Sequence, residues 1–145
     1  MEVKEGDLLL VAYQGRVRKV RLYGVVCPVN GQLFHDQARA LSSFLTGQKK
    51  VDITPVFTDG EGAIRALVRI DGTKYYLNER LVGYGMAWVK PAECKATLCK
   101  TWRELQGLAQ KNAIGLWAYP AEPPWEWAKE RKMEIYRRHK ASETE

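Results

Sequence analysis

The chain has 145 residues, enough for one domain with a substantial core, and its 46% apolar and 28% charged content is that of a globular protein. No run of about 18 apolar residues exists, which excludes a membrane-spanning helix. A net charge of +6 favours an acidic partner, with nucleic acid first among the candidates.

The residues from Met1 to Asp7 contain no apolar segment of the signal-peptide kind. That leaves the compartment open between the cytoplasm and export after removal of a signal. Asp7 to Ala12 is an apolar run ending at Gln14-Gly15, a pattern that predicts a strand and a hairpin. Val17 to Val25 alternates, with Val17, Lys19, Arg21, Tyr23 and Val25 on one face. Pro28, Asn30 and Gly31 end that strand in a loop. Phe34, Ala38, Leu41, Phe44 and Leu45 then recur at helical spacing, predicting a helix from His35 to Leu45 closed by Gly47.

Val51, Ile53 and Phe57 mark a strand that Pro55 bends or places at an edge. Thr58 to Gly62 is a turn by composition, and Ala63 to Ile70 is a strand. Asp71-Gly72 is a hairpin signal leading into Lys74-Tyr75-Tyr76. A short helix follows at Asn78 to Gly83, then a strand at Met86 to Val89. Leu98, Trp102, Leu105, Leu108 and Ala109 form the face of another helix. Tyr75, Tyr76, Trp88, Trp102 and Trp117 read as core or helix-packing residues. Pro120, Pro123 and Pro124 form a stiff linker to a charged, helix-compatible tail, where Trp127, Met133 and Tyr136 are candidate docking points. The expected organisation is one domain over residues 1–119 and a basic extension over 120–145.

Positive residues cluster at Arg16, Arg18, Lys19 and Arg21, and again at Lys129, Arg131, Lys132, Arg137, Arg138 and Lys140. Of three cysteines, Cys94 and Cys99 are close enough for a local disulfide if the chain is exported. Their spacing is not a zinc pattern. Cys27 reads as a small buried side chain.

The elements, in this order, resemble the staphylococcal nuclease-like (thermonuclease) family. Three segments carry the resemblance. They are Gly6-Asp7 with Val20-Arg21-Leu22-Tyr23-Gly24-Val25, the run from Leu77 to Val89, and Gly115-Leu116-Trp117 with Pro123-Pro124-Trp125-Glu126-Trp127. The resemblance implies an α+β fold, a five-stranded OB-type β-barrel with three helices, here followed by the charged C-terminal extension. In active members two aspartates hold calcium, a glutamate assists the attacking water and two arginines stabilise the transition state. A phosphodiester is anionic, so hydrolysis needs positive charge on its oxygens and a carboxylate to orient water.

The resemblance places the first aspartate on Asp7 and the first arginine on Arg21. The family's second metal ligand falls on Val26 and its glutamate on Val29; the second arginine falls on Ala63. Valine cannot coordinate a hard cation or accept a proton. Calcium is therefore not expected as a cofactor, and no catalytic residue can be assigned when the resemblance leaves only Asp7 and Arg21 of the five groups.

Two replacements are open. Arg65 shares a strand face with Ala63 and is a candidate phosphate-binding arginine, and His35 with Asp36 is a candidate acid/base pair. Against these stand simpler readings: a solvated strand arginine, and a first-turn carboxylate complementing a helix dipole. Asp7 and Arg21 themselves read as an ion pair between adjacent strands, and Asp59 and Glu61 as turn residues. Tyr23 and Tyr84 are candidates for contact with a base or sugar. Three functions are in view: a non-catalytic domain binding nucleic acid or another polyanion, a divergent phosphodiesterase, and a protein-interaction domain with Val26 and Val29 as an apolar contact surface.

Overall fold

Alternating apolar residues build a mixed five-stranded sheet in the computed structural model, which describes residues 1–143. Strands β1 (Glu2–Glu5), β2 (Leu8–Tyr13) and β3 (Arg16–Leu22) form an antiparallel meander. Strand β1 is not legible in Glu2-Val3-Lys4-Glu5, which has one apolar residue; pairing with β2 buries that residue, Val3. The β2–β3 hairpin turns through Gln14 and Gly15, both at positive φ, as a two-residue turn matching strand twist requires.

The strand expected to run to Val25 breaks after Leu22. Gly24 adopts φ +75° with its Cα against the Cys94 sulfur, a position no Cβ could occupy. The chain turns there, and β4 (Val25–Val26) pairs instead with a later short strand, Trp88–Val89.

Helix α1 (His35–Thr46) closes at Gly47, as its spacing predicts. Its inner face differs from the expected one. Ala38, Ser42 and Thr46 are buried, Leu41 and Leu45 are half-buried, and Phe44 is 81% exposed. The helix lies so close to the β1–β2 link that Ser42 Oγ donates to the Gly6 carbonyl at 2.5 Å. Small residues are needed at that contact, and Phe44, two positions from Ser42, points roughly 200° away.

Strand β5 (Val51–Thr58) is an edge strand, and its ladder shifts register between Pro55 and Phe57, where proline has no N–H to give. Strand β6 (Ile64–Ile70) pairs antiparallel with β5 and parallel with β3, giving the order β1-β2-β3-β6-β5. This hydrogen-bonded ladder ends at β1 and β5 and does not close on itself. The mixed sheet with its helices is an α+β fold of the expected strand number.

Helix α2 (Leu77–Gly83) plugs the sheet with Leu77, Asn78, Leu81 and Val82, all without exposed surface. After β7 (Trp88–Val89), a disulfide joins Cys94 to Cys99 with Cα atoms 5.8 Å apart, while Cys27 is free and buried. Helix α3 (Leu98–Lys111) buries Cys99, Trp102 and Ala109. Leu108, expected on the same face, is 57% exposed because the buried line runs through Trp102 and Ala109, seven positions apart. Among the predicted core aromatics, Trp88 and Trp102 are buried and Tyr76 and Trp117 half-buried, but Tyr75 is 38% exposed.

A 3₁₀ turn (Gly115–Ala118) leads to α4 (Pro124–Glu143), the charged extension. Its start is held to the body: Gln32 Nε2 donates to the Glu122 carbonyl at 2.6 Å, and Trp127 is half-buried beside Gly31. Met133 and Tyr136 do not dock, being 50% and 55% exposed; α4 last faces the body at Glu130, beside Glu122.

Candidate functional site

Parallel pairing of β3 with β6 sets Arg21 directly opposite Arg65, so two guanidinium groups enter one cleft of about 440 Å³. Asp7, Val26, Asp59, Lys90 and Glu93 also line it. The β1–β2 link supplies the first half of the site. Arg21 Nη1 donates to Asp7 Oδ1 at 3.3 Å and lies 3.5 Å from Glu5 Oε2. Asp7 Oδ2 accepts the Cys27 backbone N–H at 3.3 Å.

Asp7 is thus an ion pair with Arg21 across neighbouring strands, but it is buried rather than superficial. Burial raises its carboxyl above the usual value, in spite of Arg21 and the Cys27 N–H, which act in the other direction. The Cys27 thiol is pushed well up by burial and then by Asp7, so it is held as a neutral thiol.

The turn before β6 builds the second half. Asp59 Oδ1 accepts the N–H groups of Glu61 at 2.9 Å and Ala63 at 3.0 Å, so Asp59 closes its own turn. Its other oxygen accepts Arg65 Nε at 2.9 Å, and this bond is the chief reason that its carboxyl lies below the usual value. Glu93 meets Arg65 Nη1 at 3.4 Å and Lys90 Nζ at 3.0 Å. Its loop is positioned by the Cys94–Cys99 bond and by the Lys95 N–H donating to Tyr23 Oη at 2.8 Å.

Every cation in the cleft is therefore matched. Arg21 faces Glu5 and Asp7, Arg65 faces Asp59 and Glu93, and Lys90 faces Glu93. Counting its lining alone, the cleft holds four carboxylates (Asp7, Asp59, Glu61 and Glu93) against three cations. No group of three or more His, Cys, Asp or Glu side chains able to hold a metal ion occurs among the described residues.

The residues singled out in the sequence are only partly brought together. Val26 is on the cleft wall, but Val29 is not, and its N–H donates to Gln32 Oε1 at 3.1 Å. The apolar surface expected from those two valines is therefore not assembled in the cleft. Ala63 is 4% exposed beneath the Asp59 turn. His35 and Asp36 contact each other at 3.3 Å at the start of α1 but are not part of the cleft lining.

Tyr23 is no stacking surface. It is 5% exposed, its hydroxyl accepts the Lys95 N–H, and Phe57 meets its ring edge-on at 6.5 Å. The break at Gly24 turns it inward. Tyr84 is 47% exposed but lines a different groove. Lys90 and Glu93 complete the cleft lining and Glu5 backs Arg21 from outside it, and the sequence patterns point to none of the three. Glu5 could have been found as a second carboxylate across Gly6 from Asp7, whereas only the fold brings the Lys90–Glu93 loop to Arg65.

Two comparisons agree with this architecture. A micrococcal nuclease of Shigella flexneri is 29% identical over 140 residues, spanning 91% of this chain and 80% of that protein. The family model described as staphylococcal nuclease homologue matches residues 19–119, which include the second half of β3, all of β6, both cleft arginines and the Lys90–Glu93 loop. The chain belongs to the staphylococcal nuclease homologue family.

Proposed function

We propose that this chain is a non-catalytic nuclease-family domain that binds nucleic acid, or another polyanion, through cations outside the ancestral cleft. The observation that carries this reading is a contrast in charge pairing. Each cleft arginine is closed by two carboxylates, while Arg16, Arg18 and Lys19 on the β2–β3 hairpin form no ion pair among the described residues. A phosphate entering the cleft has to displace carboxylates, whereas one at the hairpin displaces only water and counterions.

The donor set in the cleft does not fit calcium, which needs several oxygen ligands. Val26 supplies none, and Asp7 already accepts from Arg21 and Cys27. A water-orienting carboxylate is missing at Val29, which does not reach the cleft. The test joins a nuclease assay with calcium, magnesium and manganese to fluorescence anisotropy on single- and double-stranded DNA and RNA. The expected result is no cleavage and an affinity that falls roughly 20-fold on a single strand and roughly 40-fold on a duplex between 50 and 200 mM salt, as three phosphate contacts require. Absence of binding at low salt overturns the reading.

A second reading, a divergent phosphodiesterase, is favoured by one observation: the register that sets Arg21 beside Arg65. It requires divalent-dependent cleavage that Arg21→Ala abolishes.

A further inference from the structure

A second groove, of about 450 Å³, lies between α2 and α3 and shares no lining residue with the cleft. We propose that it binds one nucleotide unit of a single-stranded nucleic acid, with Tyr84 stacking on the base and Arg80 holding the adjacent phosphate. This assignment takes the nucleic-acid reading above as its premise and adds where and how a single strand is held.

Four observations support it. Tyr84 is 47% exposed at the end of α2, and neither a ring contact nor a hydrogen bond engages its side chain among the described residues. Arg80 has no carboxylate partner among the described residues, unlike both cleft arginines; its guanidinium lies over the Tyr75 ring, 3.9 Å from the centroid. Lys74 Nζ lies 5.6 Å from the centroid of the same ring, a second cation near the groove but outside its lining. Glu79 is the acid in the lining, and its Oε1 is engaged by the Tyr76 N–H at 3.2 Å.

The chemistry that fits is a planar apolar body joined to an anion. Leu105 and the tyrosines give the groove a mainly apolar floor, so an inorganic anion leaves most of it unused. A neutral hydrophobe leaves Arg80 without a partner. A base with its phosphate satisfies both, because every base has a π-face and guanidinium binds phosphate with directed N–H groups. A duplex cannot use the site, since its bases are already stacked.

The test is fluorescence anisotropy of the full chain with a labelled oligothymidylate and with a duplex of the same length, across a salt series. Tyr84→Ala is expected to weaken single-strand binding about tenfold and Tyr84→Phe to leave it unchanged, with duplex binding unaffected by either. Arg80→Gln is expected to reduce the slope of log affinity against log salt by about 0.7, the loss of one phosphate contact on a single strand. Tyr84 is exposed and Arg80 half-buried, and matched urea midpoints will show that the variants fold. Wild-type-like single-strand binding in Tyr84→Ala and Arg80→Gln overturns the groove assignment, leaving it to a peptide or to no ligand. If binding then depends on Arg16, Arg18 and Lys19, the broader reading stands. Failure of the wild type to bind any nucleic acid at low salt overturns both.

Discussion

Asn78 has no exposed surface, yet every polar atom of its side chain is used. Its Oδ1 accepts the Val68 N–H at 3.0 Å, and its Nδ2 donates to the carbonyls of Tyr23 at 3.0 Å and Ala66 at 3.2 Å. It ties α2 to β6 and to the point where β3 breaks. Asn78→Ala takes the side-chain partner from the buried Val68 N–H and Tyr23 carbonyl, while the Ala66 carbonyl keeps the Tyr23 N–H at 2.9 Å, and urea unfolding should show a loss of about 3 kcal/mol. Asp7 poses the opposite problem, a carboxyl raised by burial. Its contribution to stability is fully present below 3.8 and is lost as pH rises through its raised value. Asp59, held low chiefly by Arg65, contributes above 3.8 and loses that contribution only as pH falls through its lowered value. Urea unfolding from pH 3 to 7 should therefore show a falling component above 3.8 that Asp7→Asn removes. A constant offset between the two proteins across that range would count against burial as the cause.

At the scale of elements, the fold depends on backbone segments that touch without side chains between them. Gly85, which follows α2, adopts φ +69°, and a Cβ there would lie 2.2 Å from the Ile114 carbonyl oxygen. Gly115, at φ +59°, meets the Gly85 carbonyl in the same way, and the Leu116 N–H donates to that carbonyl at 2.8 Å. The end of α2 and the 3₁₀ turn after α3 are thus joined backbone to backbone. Gly85→Ala forces both a strained φ and a separation of those segments, and should cost at least about 3 kcal/mol in a denaturant titration. Gly107→Ala is the control, because a Cβ there meets nothing within 4 Å and its helix gains propensity.

For the whole molecule, the body and the extension do different work. Residues 131–141 of α4 are all exposed, so α4 beyond Trp127 contributes charge to the surface rather than area to the core. Removing residues after Ala128 should leave the unfolding free energy within about 0.5 kcal/mol and lower the salt dependence of nucleic-acid binding. Loss of cooperative unfolding in the truncated chain would show instead that the helix supports the fold.

The sequence by itself determined the family, most of the strands and the main helices, and it shows no carboxylate at Val26 or Val29 and no arginine at Ala63, because periodicity, glycine turns and residue type act locally. It also showed Arg65 sharing a face with Ala63, since alternation along one strand suffices for that. Tertiary structure alone decided that Arg65 stands beside Arg21, through the parallel pairing of β3 with β6. It likewise decided that Glu93 closes on Arg65, that Tyr23 turns inward at Gly24 and that Tyr84 and Arg80 share a separate groove. Each of these depends on contacts between segments far apart in the chain, for the groove the packing of Thr101 and Leu105 of α3 beside α2. Whether an arginine is free to meet a phosphate follows from which carboxylate the fold brings to it, and no local pattern in the sequence encodes that distance.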